Sequence, residues 1–516
     1  MVLNYSTYEE ALNNFKWNEK WDVFDGNREN FNVTFECIDR HVGKDTALRI
    51  KFSDGSSEVY SFSEISNYTS QFANAIEELG VGSGDRVAVM MEPSLEFYVS
   101  MLGTVKSGSI VMPCSPLFGP EAIEFRVKDS KAKMLIIPEE KAKSVDTSSI
   151  SFLVTKEELR GFVKNESREY QSNTSAEDLA MIQYSSGTTG LPKGVPYRQK
   201  SLVTLAPVAK FGYGIMEEDR YFCPSPPTWG HGIWAGTFAP LIFGVAVGAY
   251  SGKFSPEIFL EGLEEFEINN VSAAPTVYRK ILDSGKIKDY DLKIEKLTYT
   301  GEPMDLDTFY LLKKQLGVTP HSFYGSTEVG VIVLDYAGFS DWVVKSGSLG
   351  KPMLGLEVGV IDKDGNKLPP GKVGEIAVKR RDRWIRVGDA GMMSEDGYFW
   401  HKGRSDDIII SAGYTIGPDE IEHVLNDYEA VEESAVIGVP HRERGHIVKA
   451  FIKLNSDFEP SQQLKLKLQE YVKNRLSKHE YPREIEFIDE IPKTRTGKLQ
   501  RNKLREREAK KRSGSS

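Results

Sequence analysis

The sequence predicts an α/β fold, with a large N-terminal domain of helix-covered, mostly parallel sheets and a small C-terminal α/β domain. Short apolar runs alternate with amphipathic helical segments along most of the chain, which is typical of parallel strands joined by helices. A chain of 516 residues is also too long for one hydrophobic core. Composition changes at a polar, glycine-flanked stretch near residue 400, so we expect two or three domains.

The N-terminal region begins with residues 1 to about 45, an extension whose aromatic side chains we expect to pack on the main body. Residues 48–62 alternate like a hairpin with its turn at Asp54-Gly55, and residues 63–79 carry apolar side chains at helical spacing. Strands are predicted next at 86–91, 109–112, 133–137, 179–183 and 270–274, and helices at 95–107, 120–130, 201–210, 256–266 and 275–282.

The C-terminal region shows a shorter alternation of the same kind. Strands are predicted at 408–411, 431–439, 448–454 and 484–487, and helices at 418–425 and 460–475. The tail 505–516 is basic and ends in Ser-Gly-Ser-Ser, and we expect it to be disordered.

Composition excludes several classes of protein. A formal net charge of −10 and a pI of about 5.6 do not suggest a nucleic-acid surface. Three widely spaced cysteines form neither a disulfide framework nor a metal pattern. The first 22 residues lack the apolar core of a signal peptide, and the longest apolar stretch, 238–250, is too short to span a bilayer. We therefore expect a cytoplasmic protein without integral membrane association, and the sequence leaves a homodimer open.

The stretch from Tyr184 to Gly194 carries the clearest chemistry. Its glycines free the backbone to wrap tightly, while four hydroxyls, Lys193 and backbone N–H groups can face an anion, as in a polyphosphate cradle. It is not a Walker loop, because Lys193 does not stand in G-x-x-x-x-G-K-[ST]. A solvated Ser/Gly/Thr linker is the alternative. The interleaving of these residues with proline and lysine directly after a strand argues against that alternative.

This stretch resembles the signature loop of the AMP-forming adenylating superfamily, which contains acyl-CoA synthetases, peptide-synthetase adenylation domains and luciferases. The resemblance covers residues from about 60 to about 505, and the chain looks most like a short- to medium-chain acyl-CoA synthetase. It implies that the loop binds the β- and γ-phosphates of ATP and that Thr188 is also catalytic. The implied ATP-binding residues of the loop are Ser185, Ser186, Gly187, Thr188, Thr189, Gly190 and Lys193.

Three more segments resemble the family's nucleotide contacts. Read alone, the carboxylate in Tyr324-Gly325-Ser326-Thr327-Glu328 could hold Mg²⁺ or belong to an ordinary loop. The resemblance implies that Tyr324 stacks on adenine beside Gly325, that Thr327 contacts the α-phosphate, and that Glu328 is catalytic and binds Mg²⁺. It also implies an adenine edge at Gly301-Glu302-Pro303. Asp389 resembles the carboxylate that binds both ribose hydroxyls, although a turn Asp that caps a helix is the alternative reading.

The segment Gly403 to Asp407 resembles the hinge of the family. The resemblance implies residues 1–403 as the N-terminal adenylating domain, 404–407 as the hinge and 408–516 as a mobile lid. Arg404 would contact the ribose or phosphate and Asp406 would be the pivot. Gly413 would lie beside the pantetheine channel for CoA. Ile410 and Thr415 replace a lysine and an arginine of many relatives, so we carry over no cationic contact from that loop.

Lys498 ends a segment, residues 492–498, that matches the family pattern Pro-Lys-Thr-x-x-Gly-Lys. In the family this lysine bridges the acyl carboxylate and the α-phosphate, so the resemblance implies that Lys498 is catalytic. Lysine suits this role because it places a compact charge on a long stem. Without the flanking motif, a lysine in a basic tail would be read as a surface residue.

The acyl pocket is predicted from positions in the family's substrate wall. The residues nominated for it are Trp229, His231, Trp234, Thr276, Tyr299 and Gly325. The two tryptophans could equally belong to the core. Gly325 stands where the acetate-specific branch of the family has a tryptophan, so the resemblance implies an acid larger than acetate. A glycine required by a turn with positive φ is the alternative.

The function that this resemblance implies is ATP-dependent activation of a carboxylic acid to acyl-AMP with release of pyrophosphate. Transfer of the acyl group to CoA then gives acyl-CoA and AMP. An acyl-AMP ligase that loads another acceptor is the nearest alternative. A peptide-synthetase adenylation domain would carry an Asp in the substrate wall, where His231 stands here. The sequence excludes a luciferase-like oxygenase only weakly, and the presence of Glu328 and Lys498 argues against an inactive binding module.

Overall fold

The computed structural model describes residues 3–185, 192–404, 407, 409–411, 414–441, 445–476, 481–493 and 499–513. Contacts between Cα atoms divide the chain into a first unit, Met1–Gly355, and a second unit, Leu356–Ser516. The boundary predicted between residues 403 and 404 falls inside the second unit, within the strand Phe399–Arg404.

The strands of the first unit form three sheets. In chain order the strands are β1 Leu48–Phe52, β2 Ser57–Tyr60, β3 Arg86–Met90, β4 Ile110–Cys114, β5 Met134–Ile137, β6 Phe152–Thr155, β7 Leu179–Ser185, β8 Lys193–Arg198, β9 Tyr221–Phe222, β10 Val247–Ser251, β11 Asn270–Ala273, β12 Lys296–Tyr299, β13 Pro320–Ser326, β14 Gly330–Leu334 and β15 Lys351–Pro352.

Two of these sheets are mostly parallel. One has the order β6-β5-β3-β4-β7-β8, in which only the β7–β8 pair is antiparallel. The other has the order β15-β14-β13-β12-β11-β9, in which β9, β11, β12 and β13 run parallel. The third sheet, β10-β1-β2, contains the predicted hairpin. The carboxyl ends of parallel strands share one edge of a sheet, which is where open α/β sheets bind ligands.

Helices connect and cover these strands. They are α1 Tyr8–Asn14, α2 Val33–Cys37, α3 Phe62–Glu78, α4 Leu95–Lys106, α5 Pro120–Ser130, α6 Glu139–Ala142, α7 Leu159–Val163, α8 Ser201–Pro207, α9 Ala239–Ile242, α10 Pro256–Glu265, α11 Pro275–Ser284 and α12 Leu306–Leu316. A capping box begins α3, since Ser61 Oγ accepts from the Glu64 N–H and the Glu64 carboxylate accepts from the Ser61 N–H. Phe259, Tyr278 and Phe309 of α10, α11 and α12 pack with Leu297 of β12 in one buried cluster.

The N-terminal extension packs on the first unit, as predicted. The ring centroid of Tyr8 lies 5.0 Å from that of Tyr336 and 4.9 Å from that of Trp342. Phe15 contacts Phe211 at 5.4 Å between centroids. These contacts give the extension an apolar anchor of its own.

The second unit contains two sheets. The first is an antiparallel meander of β16 Val358–Ile361, β17 Val373–Arg380, β18 Arg383–Met393 and β19 Phe399–Arg404. The second contains β20 Ile409–Ser411, β21 Tyr414–Ile416, β22 Val431–His441, β23 Gly445–Leu454 and β24 Glu484–Phe487. The helices are α13 Pro418–Asn426, α14 Gln462–Arg475 and α15 Arg501–Ser513. Together with the parallel sheets of the first unit, these elements confirm the predicted α/β fold class.

The prediction of a disordered tail was wrong for residues 505–513, which belong to α15. Leu504 is buried in an apolar cluster with strands β22 and β23. The carboxylate of Glu508 lies 2.6 Å from the ammonium of buried Lys449, and Arg512 pairs with Glu484 at 2.7 Å. The charges that suggested a solvated tail are therefore matched by charges on the sheet. The described part of the chain contains no helix that is both long and apolar enough to cross a membrane.

Candidate active site

The predicted phosphate loop lies at the carboxyl end of β7. Ser185 pairs with Lys193 at the end of the β7–β8 hairpin, and Tyr184 pairs with Gly194 next to it. The side chain of Lys193 is exposed there. Ser186, Gly187, Thr188, Thr189 and Gly190 lie outside the described residues. The two strands that flank the loop therefore place its ends, and the ATP contacts proposed for it stay predictions.

The predicted metal and α-phosphate residues lie at the carboxyl end of β13. Tyr324 and Gly325 belong to this strand, while Thr327 and Glu328 form the turn before β14. The Glu328 side chain is exposed, and no described residue forms an ion pair with it. A carboxylate supplies the oxygen ligands that Mg²⁺ prefers, so the chemistry of Glu328 fits the predicted ion, and its metal-binding role stays a prediction.

Tyr197 joins the two loops. It lies on β8, four residues after Lys193, and its hydroxyl donates to the Thr327 carbonyl oxygen at 2.6 Å. Burial, with the nearby charge of Glu328 as a smaller cause, raises the pKa of the Tyr197 phenol well above its ordinary value. The group therefore stays protonated and able to donate. This contact brings the strand that leaves the phosphate loop next to the turn that carries Glu328.

The predicted adenine edge follows β12. Gly301 has a φ of +95°, which favours glycine. A Cβ placed on Gly301 would have no neighbouring atom within 4 Å, so the space beside this backbone is open. The Glu302 carboxylate accepts from the Thr276 N–H at 2.7 Å at the start of α11 and pairs with Arg279 at 2.8 Å. Pro303 is exposed in the same loop.

Another hydrogen bond connects this loop with β13. The Thr300 hydroxyl donates to the Phe323 carbonyl oxygen at 2.8 Å. Because β12 and β13 are parallel neighbours, the segments after them meet at one sheet edge. The segment predicted as the adenine edge and the Tyr324 to Glu328 segment are thus neighbours, and their nucleotide contacts stay predictions.

The residues nominated for the acyl pocket differ in exposure and in the groups that they contact. Trp229 is 50% exposed, whereas Tyr299 is buried at the end of β12. The Trp234 ring lies 4.8 Å from the Tyr197 ring between centroids, which places it beside the link to Thr327. The Thr276 hydroxyl is a hydrogen-bond partner of Glu302. Of this set, Trp234 is the aromatic side chain that lies next to the Tyr197–Thr327 hydrogen bond.

His231 has hydrogen-bond partners on both ring nitrogens. Its Nδ1 lies 2.9 Å from Ser225 Oγ and its Nε2 lies 2.8 Å from Ser272 Oγ. Burial lowers the pKa of His231 from 6.5 to about 4. The imidazole is therefore neutral near pH 7, with one nitrogen donating and the other accepting. It joins the π-helical segment His231–Phe238 to the loop after β9 and to β11, and both nitrogens are already used.

Gly325 has a backbone neighbour on the side where a side chain would project. A Cβ placed there would lie 1.9 Å from the Gly330 carbonyl oxygen and 2.8 Å from the Val331 Cα. The register between β13 and β14 shifts at Tyr324 and Gly325. A close approach of two strands therefore requires glycine at 325, independently of acyl-chain length. The chain-length role of this residue stays a prediction.

The second unit brings two predicted nucleotide contacts together. Asp389 on β18 stands opposite Arg404 on β19 in the strand register. The Asp389 carboxylate lies 3.9 Å from His401 Nε2, and His401 Nδ1 lies 3.6 Å from the Asp419 carboxylate. The predicted pivot Asp406 and the CoA-channel residue Gly413 lie outside the described residues.

Lys498 also lies outside the described residues, but both ends of its segment are placed. Lys493 and Leu499 form a β-bridge, and the Gln500 N–H donates to the Pro492 carbonyl oxygen at 2.9 Å. These contacts close the base of the segment 494–498. The catalytic role of Lys498 stays a prediction.

Sequence reasoning missed two residues that the structure places at these segments. Tyr197 contacts a carbonyl 130 residues further along the chain, and no local pattern marks such a contact. Arg501 begins α15 and forms ion pairs with three carboxylates, yet in the sequence it is one of many basic residues near the C-terminus. The charges of Asp407, Asp419 and Glu422 were visible in the sequence, but their convergence was not.

Comparison with known proteins places the chain in a family. The family model described as AMP-binding enzyme matches residues 37–382, and the model described as AMP-binding enzyme C-terminal domain matches residues 420–498. Acetyl-coenzyme A synthetase of Bacillus subtilis (strain 168) is 32% identical, over 97% of this chain and 95% of that protein. Mitochondrial acyl-coenzyme A synthetase ACSM3 of Rattus norvegicus is 31% identical, over 98% of this chain and 94% of that protein.

A solved structure with the same fold supports this placement. The crystal structure of the anthranilate CoA ligase AuaEII in complex with anthranoyl-AMP matches 95% of this chain and 98% of its own, with a TM-score of 0.82 and 26% identity. Both family models, the two relatives and this structure agree with the predicted resemblance. The chain belongs to the AMP-binding enzyme family and is an AMP-forming acyl-CoA synthetase of that family.

Proposed function

We propose that the enzyme activates a carboxylic acid larger than acetate and transfers it to CoA at the carboxyl edge described above. The observation that carries this proposal is the Tyr197–Thr327 hydrogen bond, because it joins the strand leaving the phosphate loop to the turn with Glu328. The Thr300–Phe323 bond adds the adenine edge to the same place. One site can then hold the triphosphate, the base and the acid together, which lowers the entropic barrier to their reaction.

In the first step, an oxygen of the acid attacks the α-phosphorus of ATP while the bond to pyrophosphate breaks. The side chain of Lys193 and the hydroxyls of the loop stabilise the charge on the leaving pyrophosphate. Thr327 positions the α-phosphate, and Tyr197 holds the carbonyl of Thr327 in place. Glu328 would hold Mg²⁺, which when bound would supply positive charge beside the phosphates. Lys498 reduces the repulsion between the carboxylate and the α-phosphate.

In the second step, the CoA thiolate attacks the acyl carbon and AMP leaves with the bonding electrons of the acyl–oxygen bond. Asp389 and Arg404 retain the ribose during this exchange. The lid beyond Asp406 turns between the two steps, so that Gly413 replaces Lys498 beside the acyl group. This rotation of the lid about Asp406 is a hinge motion.

The size of the acid is the finer part of the proposal. Relatives over nearly the whole chain include an acetyl-CoA synthetase, and a similar fold binds anthranoyl-AMP, so the comparisons leave the size of the acid open. An acid larger than acetate rests on the resemblance alone, in which Gly325 stands where the acetate-specific branch of the family has a tryptophan. An acyl-AMP ligase with another acceptor is the second candidate, because it would share the first half-reaction and its residues.

A panel of acids tests the proposed size. Acetate, butyrate, hexanoate, octanoate and benzoate would be supplied with ATP, Mg²⁺ and CoA, and kcat/KM would be measured from AMP release. A reaction without acid corrects for ATP hydrolysis. We expect kcat/KM to rise from acetate to hexanoate, since each buried methylene contributes ~0.8 kcal/mol. Preference for acetate would contradict the proposed size while leaving the reaction itself intact.

The compartment and the oligomeric state are also proposals. We propose the cytoplasm, on the basis of the sequence features above, and three buried free cysteines agree with a reducing compartment. A homodimer remains an open alternative to a monomer. Size-exclusion chromatography with light scattering would measure the oligomeric state directly.

A further inference from the structure

Three carboxylates of the second unit converge on one arginine. The Arg501 guanidinium lies 3.0 Å from Asp407 Oδ2, 2.6 Å from Asp419 Oδ1 and 2.5 Å from Glu422 Oε2. Its Nε also donates to Glu422 Oε1 at 3.0 Å, so the contact with Glu422 is bidentate. The planar, multi-donor shape of guanidinium suits this arrangement, and a lysine ammonium could not reproduce it.

The cluster is largely removed from water. The side chains of Arg501 and Asp407 are each 10% exposed, and that of Glu422 is 8% exposed. Glu422 also accepts from the Val436 N–H at 2.6 Å, and Arg505 adds a second cation beside Asp407. Groups buried in this way are costly to leave unpaired, so each one restrains the positions of its partners.

The residues of this cluster come from three separate parts of the chain. Asp407 directly follows the predicted pivot Asp406, and Asp419 and Glu422 lie on α13. Arg501 comes three residues after Lys498, next to the Lys493–Leu499 bridge that closes the lysine segment. One guanidinium therefore ties the first residue beyond the pivot, the helix α13 and the base of the lysine segment together.

We propose that Arg501 is a positioning residue that makes the lid turn as one rigid body from Asp407 to the lysine segment. The inference rests on the proposed two-step reaction. If Asp407 and α13 were not held to the start of α15, a rotation at the pivot would not be transmitted faithfully to the lysine segment. Both half-reactions would then lose rate, because each needs the lid in one defined orientation.

The same helix offers a matched control. Arg512 of α15 pairs with Glu484 and Glu508, at 2.7 and 2.8 Å, and contacts none of the three carboxylates bound by Arg501. Replacing Arg512 therefore removes ion pairs from α15 while the Arg501 cluster stays. A general weakening of α15 would affect both variants, whereas a positioning role would affect Arg501 alone.

The test compares full-length wild type, Arg501→Gln, Asp407→Asn, the double variant and Arg512→Gln. Acid-dependent ATP–pyrophosphate exchange reports the first half-reaction, and acyl-CoA formation from supplied acyl-AMP and CoA reports the second. We expect Arg501→Gln to lower kcat of both at least ~10-fold while KM for ATP changes less than about twofold. Asp407→Asn should act in the same direction, and the double variant should lose no more than Arg501→Gln alone.

Several results would overturn the proposal. These are unchanged kcat in Arg501→Gln, additive losses in the double variant, a change confined to KM, or an equal loss in Arg512→Gln. Circular dichroism and thermal melting check that each variant is folded. If Arg501→Gln does not fold, the reduced kcat expected of Asp407→Asn decides the question. Wild type without acid-dependent exchange would instead refute the proposed function, so the two failures are distinguishable.

Discussion

The hydroxyl of Tyr197 donates to the carbonyl oxygen of Thr327 at 2.6 Å, across 130 residues of sequence. We expect Tyr197→Phe to lower kcat/KM of adenylation about tenfold, because ~1.4 kcal/mol of transition-state stabilisation corresponds to that factor. Stability should fall by only ~1 kcal/mol, the usual net value of one hydrogen bond. ATP–pyrophosphate exchange measured over a range of Mg²⁺ concentrations should reach half its maximal rate at a higher Mg²⁺ concentration in the variant.

Tyr60→Phe is the control for this experiment. Its hydroxyl donates to Glu58 at 2.9 Å, in the third sheet of the first unit. The control variant should retain wild-type exchange. If Tyr197→Phe also retains wild-type exchange at every Mg²⁺ concentration, the hydrogen bond does not position Thr327.

A second prediction concerns pH. Burial lowers the pKa of His231 from 6.5 to about 4. Between these two pH values the side chain is therefore neutral in the folded protein and protonated in the unfolded chain. Its contribution to stability is present above about pH 6.5 and is lost as the pH falls towards 4. Relative to His231→Asn, wild type should lose up to ~3 kcal/mol of unfolding free energy over this range. Denaturant titrations at a series of pH values measure this difference, and a constant difference would contradict the buried neutral imidazole.

A third prediction concerns Gly325. A Cβ there would lie 1.9 Å from the Gly330 carbonyl oxygen, so Gly325→Ala must move the β13–β14 hairpin. We expect a loss of ~1–3 kcal/mol in the free energy of unfolding, the usual cost of overpacking. Gly82→Ala is the control, because a Cβ at 82 has no neighbour within 4 Å. Melting of the two variants tests this expectation, and equal stability would contradict it.

The chain-length role of Gly325 needs a separate measurement. Gly325→Trp should raise the ratio of acetate to hexanoate activity if the residue lines the acyl pocket. The ratio is informative even when the total activity falls through hairpin displacement, because both acids share the same folded fraction. An unchanged ratio would show that Gly325 serves the backbone alone.

A fourth prediction separates the two half-reactions. Lys498→Ala should weaken adenylation by ~3 kcal/mol or more, the scale of a lost transition-state donor. Thioester formation from supplied acyl-AMP should remain nearly intact. Lys493→Ala is the matched control from the same segment, since Lys493 pairs with Glu433 at 2.7 Å. Equal losses in both half-reactions would contradict the role proposed for Lys498.

Local sequence patterns predicted much of the fold. They failed where the structure depends on contacts between residues that are far apart in the sequence. The helix at 120–130 and the strand at 484–487 have the predicted limits, because periodicity and an N-terminal proline are local signals. The helix α15 was missed because its charges are matched by Lys449 and Glu484 on a sheet. The surroundings of Gly325 depend on a strand pairing that the sequence does not show.

The same distinction holds for the site. The described nucleotide residues predicted in the first unit lie on or directly after β7, β12 and β13, or at the start of β8, at the carboxyl edge, and their roles stay predictions. The contacts that join these segments, such as Tyr197 with Thr327, depend on the packing of two sheets. Neither residue carries a sequence signal for the other, so this part required the structure.

The most direct test is the fate of ATP with the best acid of the panel, with and without CoA. The purified protein would receive ATP, Mg²⁺ and the acid, and AMP, ADP, acyl-AMP and acyl-CoA would be quantified over time. An acyl-CoA synthetase should release AMP over many turnovers only with CoA present, in equal amounts with acyl-CoA. Equal AMP release without CoA, or formation of ADP in place of AMP, would contradict the proposed reaction.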